Sequence, residues 1–410
     1  MRITLVDKNP YYTYLPFLPE VAGGHIAPKD VTVDLRAALR KTRVLHAAVV
    51  GISAASQTVT IRTDAGVDRT LEFDELIVAL GSVSRVFPTP GLAEYAVGFK
   101  TVEEASFVRA RLLRNIAAAA STKDDAERRR LLTGVFVGGG YTGVEAIGEL
   151  LDTSNAAVAS YPSLRGEKPR WVLIDALDRI APEVGPQLSK WTLDALRSRG
   201  VDVRLGTTMP SVESGVVQLS DGDSFPAGLV VWTAGVKPNP VLEATDLPRG
   251  PKGHVIANTH LQVTDGTTHV PLHGIWALGD AAQVPDFTAD HQPAFYVPNA
   301  QNAVRQAVVV ADNVAAELSG KHLVRFRHPS IGTVASYGVG KGAANIKGVN
   351  LTNWPAWFLH RSYHVYAMPT VRRKLHILLG WVTGTVTGRE ATPIADEAAA
   401  RAAFADASKN

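Results

Sequence analysis

At roughly 150 residues per domain, a chain of 410 residues predicts two or three domains. Its 46% hydrophobic residues and its 42 Lys+Arg against 39 Asp+Glu exclude disorder. Cysteine is absent, which removes structural disulfides, thiolate metal sites, cysteine nucleophiles and every dithiol redox mechanism, so any redox chemistry has to come from a bound cofactor.

Residues 2–6 read as a buried strand ending in Asp7, with no signal-peptide pattern, so a cytoplasmic-side location is expected. Residues 59–61 and 70–73 read as an antiparallel meander, and 76–80 as an apolar strand that stops at Gly81. A helix is predicted over 102–120, followed by a charged, exposed continuation at 123–130. Strand 134–137, a glycine turn, helix 144–151, a polar insertion at 153–169 and strand 171–174 ending in Asp175 then make one complete βαβ unit. Strands 229–232 and 274–278 and a long helix over 300–318 complete the elements, and no tandem repeat is present.

The most specific motif is Gly138-Gly139-Gly140-Tyr141-Thr142-Gly143, a G-x-G-x-x-G that leaves an apolar strand and opens a helix. In that setting Gly138 permits the tight turn, Gly140 lets backbone N–H groups approach a pyrophosphate, and Gly143 lets the helix pack on the strand. The helix N-terminus adds positive potential for the phosphates. Asp175, at the end of the following strand, can accept from a ribose 2′-OH and repels a 2′-phosphate, which favours NAD over NADP. Asp7 stands in the same relation to the first strand. Only six residues precede it, however, so the first βα unit, with the glycine loop expected about 20 residues upstream, is missing from the pattern.

Across almost its whole length the chain resembles the type II (non-proton-pumping) NADH dehydrogenases, among the two-dinucleotide-fold flavoproteins related to glutathione reductase. The matching pieces are Asp7-Lys8-Asn9-Pro10, Leu15-Pro16-Phe17-Leu18-Pro19-Glu20, Gly138 to Gly143 with Glu145, Trp232-Thr233-Ala234-Gly235, Leu278-Gly279-Asp280, and Asn299-Ala300-Gln301-Asn302 running on to Gln306. The resemblance implies FAD as well as NAD. It implies cofactor contacts from Asp7, Val49, Ala79, Gly81, Ala234, Gly235, Gly279, Asp280, Ala300 and Lys341, beside the glycines and Asp175 already read from the motif. It further implies Glu145 at the nicotinamide side and Gln301 at a quinone site as catalytic residues. The bland readings of the last three stay open, namely a first-turn Glu stabilised by the helix dipole, a helix-start polar residue and a solvated loop lysine. Arg305 and Asn299 depart from the family pattern at the quinone segment.

The resulting expectation is an α/β protein with two Rossmann-like dinucleotide-binding domains and a C-terminal membrane-associating α+β subdomain. The flavin domain is split over 1–100 and 236–320, the NAD domain covers 101–235, and the subdomain covers 321–410. Residues 318–389 carry ten basic and no acidic side chains, interleaved with Trp354, Trp357, Phe358, Tyr363, Tyr366 and Trp381. Such a mix suits an anionic bilayer surface, although an ordinary basic subdomain with its aromatics inside is the alternative. The apolar run 375–386 is too short to span, about 12 residues against the roughly 20 required. The partners expected are NADH, a quinone and the membrane surface, without nucleic acid or metal, and a homodimer stays open. A flavin-free NAD-binding remnant and a flavin reductase with a non-quinone acceptor are the alternative functions.

Overall fold

The computed structural model describes residues 1–289, 291–329, 332–387 and 392. The predicted C-terminal region beyond 387, Arg389 included, therefore lies outside the described residues apart from Thr392. The elements that carry the argument begin with strand β1 (Thr4–Asp7), helix α1 (Leu18–Ala22), and strands β2 (Arg43–His46), β3 (Leu76–Val78) and β4 (Ala96–Gly98). Next come α2 (Val102–Ser121), β5 (Thr133–Val137), α3 (Tyr141–Ala159), β6 (Arg170–Ile174), α4 (Pro186–Ser198), β7 (Val201–Arg204) and β8 (Leu229–Trp232). The last are β9 (Pro271–Ala277), α5 (Ala300–Glu317), β10 (Gly332–Ser336), β11 (Gly342–Ile346), β12 (Val349–Thr352), α6 (Trp354–Ala367) and α7 (Val371–Thr387).

These elements form two compact units. One comprises residues 1–12, 34–85 and 236–330, the other residues 13–33, 86–235 and 331–410.

In the second unit β4, β8, β5, β6 and β7 lie side by side in a parallel five-stranded sheet. Every residue of β5 is buried, as expected of a parallel strand covered on both faces. Helix α2 starts at a capping box, in which the Thr101 side chain accepts from the Glu104 N–H and the Glu104 carboxylate from the Thr101 N–H. Its apolar positions Val102, Ala105, Val108, Leu112, Ile116 and Ala119 recur at helical spacing and are all buried.

Helix α3 is longer than the pattern 144–151 predicts. It starts inside the glycine motif and consumes the first part of the supposed insertion 153–169. The polar residues there face inward because each has a partner: Thr153 Oγ1 donates to the Gly23 carbonyl at 2.8 Å, and Trp171 Nε1 donates to Ser154 Oγ at 3.0 Å. Similarly, the charged stretch after α2 is a separate helix, Asp125–Leu131, capped by Asp124.

In the first unit β1 pairs in parallel with β2, and β3 in parallel with β9. A three-stranded antiparallel sheet over residues 48–72 includes the meander read from the sequence, with Ala48–Ser53 as a further strand. The core joins Ile52, Ile61, Val78, Ile275, Trp276 and Val310.

Packing around Trp171 is tight enough to dictate a glycine opposite. A Cβ on Gly134 would lie 2.5 Å from the indole Cζ3, and overpacking of a closed core costs about 1–3 kcal/mol. Gly134→Ala should therefore lower the calorimetric unfolding temperature. Gly384→Ala, where a Cβ meets nothing within 4 Å, should leave it unchanged or raised.

Candidate functional site

The loop joining β5 to α3 is held by the strands on either side of β5. The Gly138 N–H donates to the Ile174 carbonyl at 2.8 Å, and Thr233 Oγ1 donates to the carbonyls of Val137 and Gly138 at 3.1 and 2.9 Å. Gly138 has φ +112°, and a Cβ there would lie 2.6 Å from the Thr233 backbone. A Cβ on Gly143 would collide with the Gly138 carbonyl at 2.0 Å, so the helix can approach the strand this closely only with glycine. Gly140 has open space except for one atom, Glu183 Oε1, 3.6 Å from its Cβ position. Gly138 thus makes the tight turn and Gly143 the close helix approach, and the loop fits the backbone cradle of a dinucleotide pyrophosphate.

Asp175 reaches this loop directly. Its Oδ2 accepts from the Gly139 N–H at 2.5 Å and its Oδ1 from the Leu177 N–H at 2.7 Å, which fixes the carboxylate under the loop with lone pairs left for a ribose hydroxyl. Ala234 and Gly235 follow β8 at the same carboxyl edge of the sheet, Gly235 with φ +87° and open space beside it. Open α/β sheets bind ligands at that edge. Lys341 is not brought to the loop. It is exposed in the turn between β10 and β11, near Trp191 and Asn353. Within that turn the Val339 N–H donates to Asp152, about 16 Å along α3 from Tyr141 at 1.5 Å per residue.

Glu145 has partners that periodicity does not reveal. Its Oε1 accepts from the Ser336 N–H at 2.9 Å and lies 3.2 Å from His360 Nε2. His360 leads on through a ring contact of 4.4 Å to His364, whose Nδ1 shares a hydrogen bond with Tyr14 Oη at 2.9 Å. Burial, aided by the charge of His360, holds the His364 pKa well below the ordinary imidazole value. Burial likewise raises the hydroxyl pKa of Tyr141, in the glycine motif, and of Tyr337, which follows β10.

Arg361 is corrected by the structure. Counted with the basic surface in the sequence, its side chain is only 6% exposed and lies between the rings of Trp357 and Trp381, at 4.2 and 4.4 Å. Glu20 Oε1 stands 3.6 Å from its guanidinium, and Glu20 Oε2 accepts from Trp381 Nε1 at 2.8 Å. Removing one member of such a pair leaves a buried charge, a cost of about 3–5 kcal/mol. Arg373 is also committed, to Asp30 and to the Thr32 carbonyl. Trp354, Phe358 and Tyr366 are exposed, at 52, 58 and 80%. Helix α6 therefore has one charged, buried face and one aromatic, exposed face.

In the first unit a second group of expected residues converges. Gly81, past the end of β3, and Gly279 both have positive φ. Asp280 accepts from Ser82 Oγ at 2.6 Å, and the Gly279 N–H donates to Gln306 Oε1 at 2.7 Å. Ala300 and Gln301 open α5, capped by the Asn299 side chain, which accepts from the Asn302 N–H at 2.7 Å. Gln306, buried and bonded to the turn, is the residue the sequence reading did not single out, although it lies in the quoted motif. Asp7 ends β1, its carboxylate accepting from the Asn9 N–H at 2.8 Å, and Ala79 directly follows β3. Val49 is half-buried opposite Ile61. This donor set fits the ribityl and ribose parts of FAD, while no second G-x-G-x-x-G for its pyrophosphate occurs in the sequence.

Residues 1–307 match the family model described as pyridine nucleotide-disulphide oxidoreductase. The chain is 29% identical over 390 residues to the demethylphylloquinone reductase of Synechocystis sp., covering 93% of this chain and 88% of the relative. It is 27% identical over 410 residues to the type II NADH:quinone oxidoreductase Ndh of Mycobacterium tuberculosis, covering 97% and 86%. In fold it is similar to NDH2 of Plasmodium falciparum, solved in complex with NADH, with a TM-score of 0.87 at 17% identity over 95% of this chain and 94% of that one.

A carboxylate fixed under the loop makes a testable demand on dinucleotide choice. The unaltered chain should bind NADH more tightly than NADPH, and Asp175→Ser should narrow the difference. Fluorescence titration with both dinucleotides checks this, and equal affinities in the unaltered protein would refute it.

Proposed function

The chain belongs to the pyridine nucleotide-disulphide oxidoreductase family, and from that premise we propose that it is an FAD-dependent, non-proton-pumping NADH:quinone oxidoreductase. The names of its relatives support the reaction. The observation that carries the reading is a complete NAD-type glycine loop, ordered by Asp175, in a 410-residue chain without cysteine. A member of this family that lacks thiols has no dithiol to pass electrons through, so the acceptor must be reduced directly. The balance is NADH + H⁺ + quinone → NAD⁺ + quinol. One hydride leaves the nicotinamide, and the quinone gains two electrons and two protons, one of them from the medium.

FAD, when bound, supplies the two-electron relay between nicotinamide and quinone. The protein binds and orients. Gly138, Gly140 and Gly143 expose backbone donors to the NADH pyrophosphate, and Asp175 accepts from the ribose, with Ala234 and Gly235 lining the same edge. Glu145 orients the nicotinamide side or holds a proton there, and its contact with His360 keeps the carboxylate in place. For the flavin, Asp7 takes the adenosine ribose, Asp280 the ribityl hydroxyls, and Val49, Ala79, Gly81, Gly279, Ala300 and Lys341 the remaining contacts. Gln301 donates toward the quinone. On this reading residues 1–100 and 236–320 are the flavin domain, 101–235 the NAD domain and 321–410 the membrane-facing region.

The donors for the FAD pyrophosphate are assigned to a βα unit ahead of β1. Among the described residues β1 pairs with β2 alone and β3 with β9 alone, and the neighbouring apolar side chains Ile3 and Ile77 are 49 and 44% exposed, as expected where a further parallel strand is to be laid. The 410-residue chain should then purify with less than one FAD. A form extended upstream by about 30 residues, one such unit, should be yellow and oxidise NADH with a short-chain quinone. A full equivalent of FAD on the 410 residues would remove the need for the extra unit. A flavin-loaded, extended form that reduces no quinone would overturn the function.

No helix among the described residues is long and apolar enough to cross a membrane. Peripheral attachment, on the cytoplasmic face, is assigned to the exposed side chains Trp354 and Phe358 of α6 and Val371, Leu375, Leu379 and Val382 of α7, together with the exposed Arg372. Apolar burial and about 1 kcal/mol per Lys/Arg at an anionic surface should give salt-sensitive co-sedimentation with anionic liposomes. Trp354→Ala with Phe358→Ala should weaken it, and absence of binding at low salt would refute the assignment.

A further inference from the structure

The segment that follows β6 is folded back onto the glycine loop. The Ala181 N–H donates to the Gly139 carbonyl at 2.6 Å, Ser189 Oγ donates to the Ile180 carbonyl at 2.6 Å, and Ala181 is held at φ +43°, a conformation uncommon for a residue with a side chain. The strained residue starts a 3₁₀ turn, Pro182–Val184. That turn carries the Glu183 carboxylate to the open side of Gly140, where its Oε1 is the one described atom within 4 Å of a Cβ position there. The backbone N–H groups of Glu183 itself and of Tyr141, the first residue of α3, favour the charged form of this carboxylate. Free N–H groups at a helix start behind such a loop are the ones a pyrophosphate uses.

We propose that Glu183 sits in the place of a phosphate oxygen of the dinucleotide, so that binding must displace or neutralise this carboxylate, and that Glu183 thereby sets the affinity of the site and its dependence on pH. The inference rests on the dinucleotide reading and adds a residue to which neither motif nor family resemblance drew attention. Two anions cannot share these donors at no cost. Glu145 and Asp175 already lie near, and the dinucleotide brings two further negative charges. Glu183 is exposed, so it has room to swing away.

The sign of the pH effect follows from the groups around it. Glu145 and Tyr141 from α3, Asp175 from the end of β6 and Tyr337 after β10 are the titratable groups that face it. The strands β10 and β11 and the first turn of α4, which pack on the 3₁₀ turn, carry no titratable side chain. Partial removal from water, with the charges of Glu145 and Asp175 added, raises the pKa of the Glu183 carboxyl. Below that pKa the competitor is neutral and binding is tight. Above it, affinity falls.

Calorimetric titration of the full chain with NAD⁺ at several pH values, from the ordinary glutamate value of 4.5 up to about 7.5, tests this, one pKa unit corresponding to about a tenfold change in an equilibrium constant. Affinity of the unaltered protein should fall by about three- to tenfold across that range. Glu183→Gln, and Glu183→Ser as a second variant, should bind at the upper pH about as tightly as the unaltered protein does at the lower, with a flatter profile. Equal affinity of all three proteins at the upper pH would overturn the proposal. Weaker binding by both variants would overturn it too, and make Glu183 a ribose ligand. Failure of every form to bind NAD⁺ at any pH would instead refute the dinucleotide reading on which the inference rests.

Discussion

The close backbone approach between the glycine loop and the start of α3 governs much of what surrounds it. Because the Gly138 carbonyl and the Gly143 Cα leave no room for a methyl group, α3 begins directly against β5. Its first N–H groups, with no helical partner, are therefore aimed at the carboxyl edge of the sheet. The loop is tied to β6 through Ile174 and Asp175 and to β8 through Thr233, so its shape is set before any ligand arrives. A preformed cradle of this kind spends little binding free energy on ordering. It is also indiscriminate: any anion within reach competes for it, including a carboxylate of the protein.

The same helix ties the C-terminal segments to the glycine loop. Glu145 lies one turn into α3, and its carboxylate is shared between β10 and His360 of α6. Two further buried groups of α6, Arg361 and His364, meet Glu20 and Tyr14. A helix that presents Trp354 and Phe358 outward and three ionisable groups inward is poorly described by a single amphipathic pattern. Its inner face is polar, and it is stable only because each charge finds a partner and Arg361 gains two indole faces. The basic stretch of the C-terminal region is thus divided. Arg361 and Arg373 hold the fold together, while the aromatics Trp354, Phe358 and Tyr366 and several apolar side chains of α7 stay exposed.

In the first unit the turn at Gly279 is bonded to α5 through a buried amide, Gln306. Gln306 explains why the segment after Asn299 begins a helix at that point: the Asn299 cap, the Asn302 bond to the Val297 carbonyl at 2.9 Å and the Gln306 contact fix its first two turns. The departures from family pattern at Asn299 and Arg305 leave this arrangement intact, Asn299 being the cap and Arg305 bonding back to the Gln301 carbonyl at 3.0 Å.

The amino-acid sequence by itself determined the features whose physics is local. The glycine loop with its flanking strand and helix, the acid at the end of the next strand, strand 229–232 and the start of α2 at its capping box all follow from spacing and from backbone bonds within a few residues. The long span of α3 was not legible, because its inward-facing Thr153 and Ser154 become compatible with a helix only through Gly23 and Trp171. Nor were the partners of Glu145, the burial of Arg361, or Glu183 lying over Gly140. Each joins residues tens to hundreds of positions apart, and a side chain's burial depends on what the rest of the chain lays over it. Periodicity reports which face of an element is apolar. Only the packed structure decides which charged residues on a mixed face find a counter-charge inside and which stay in water.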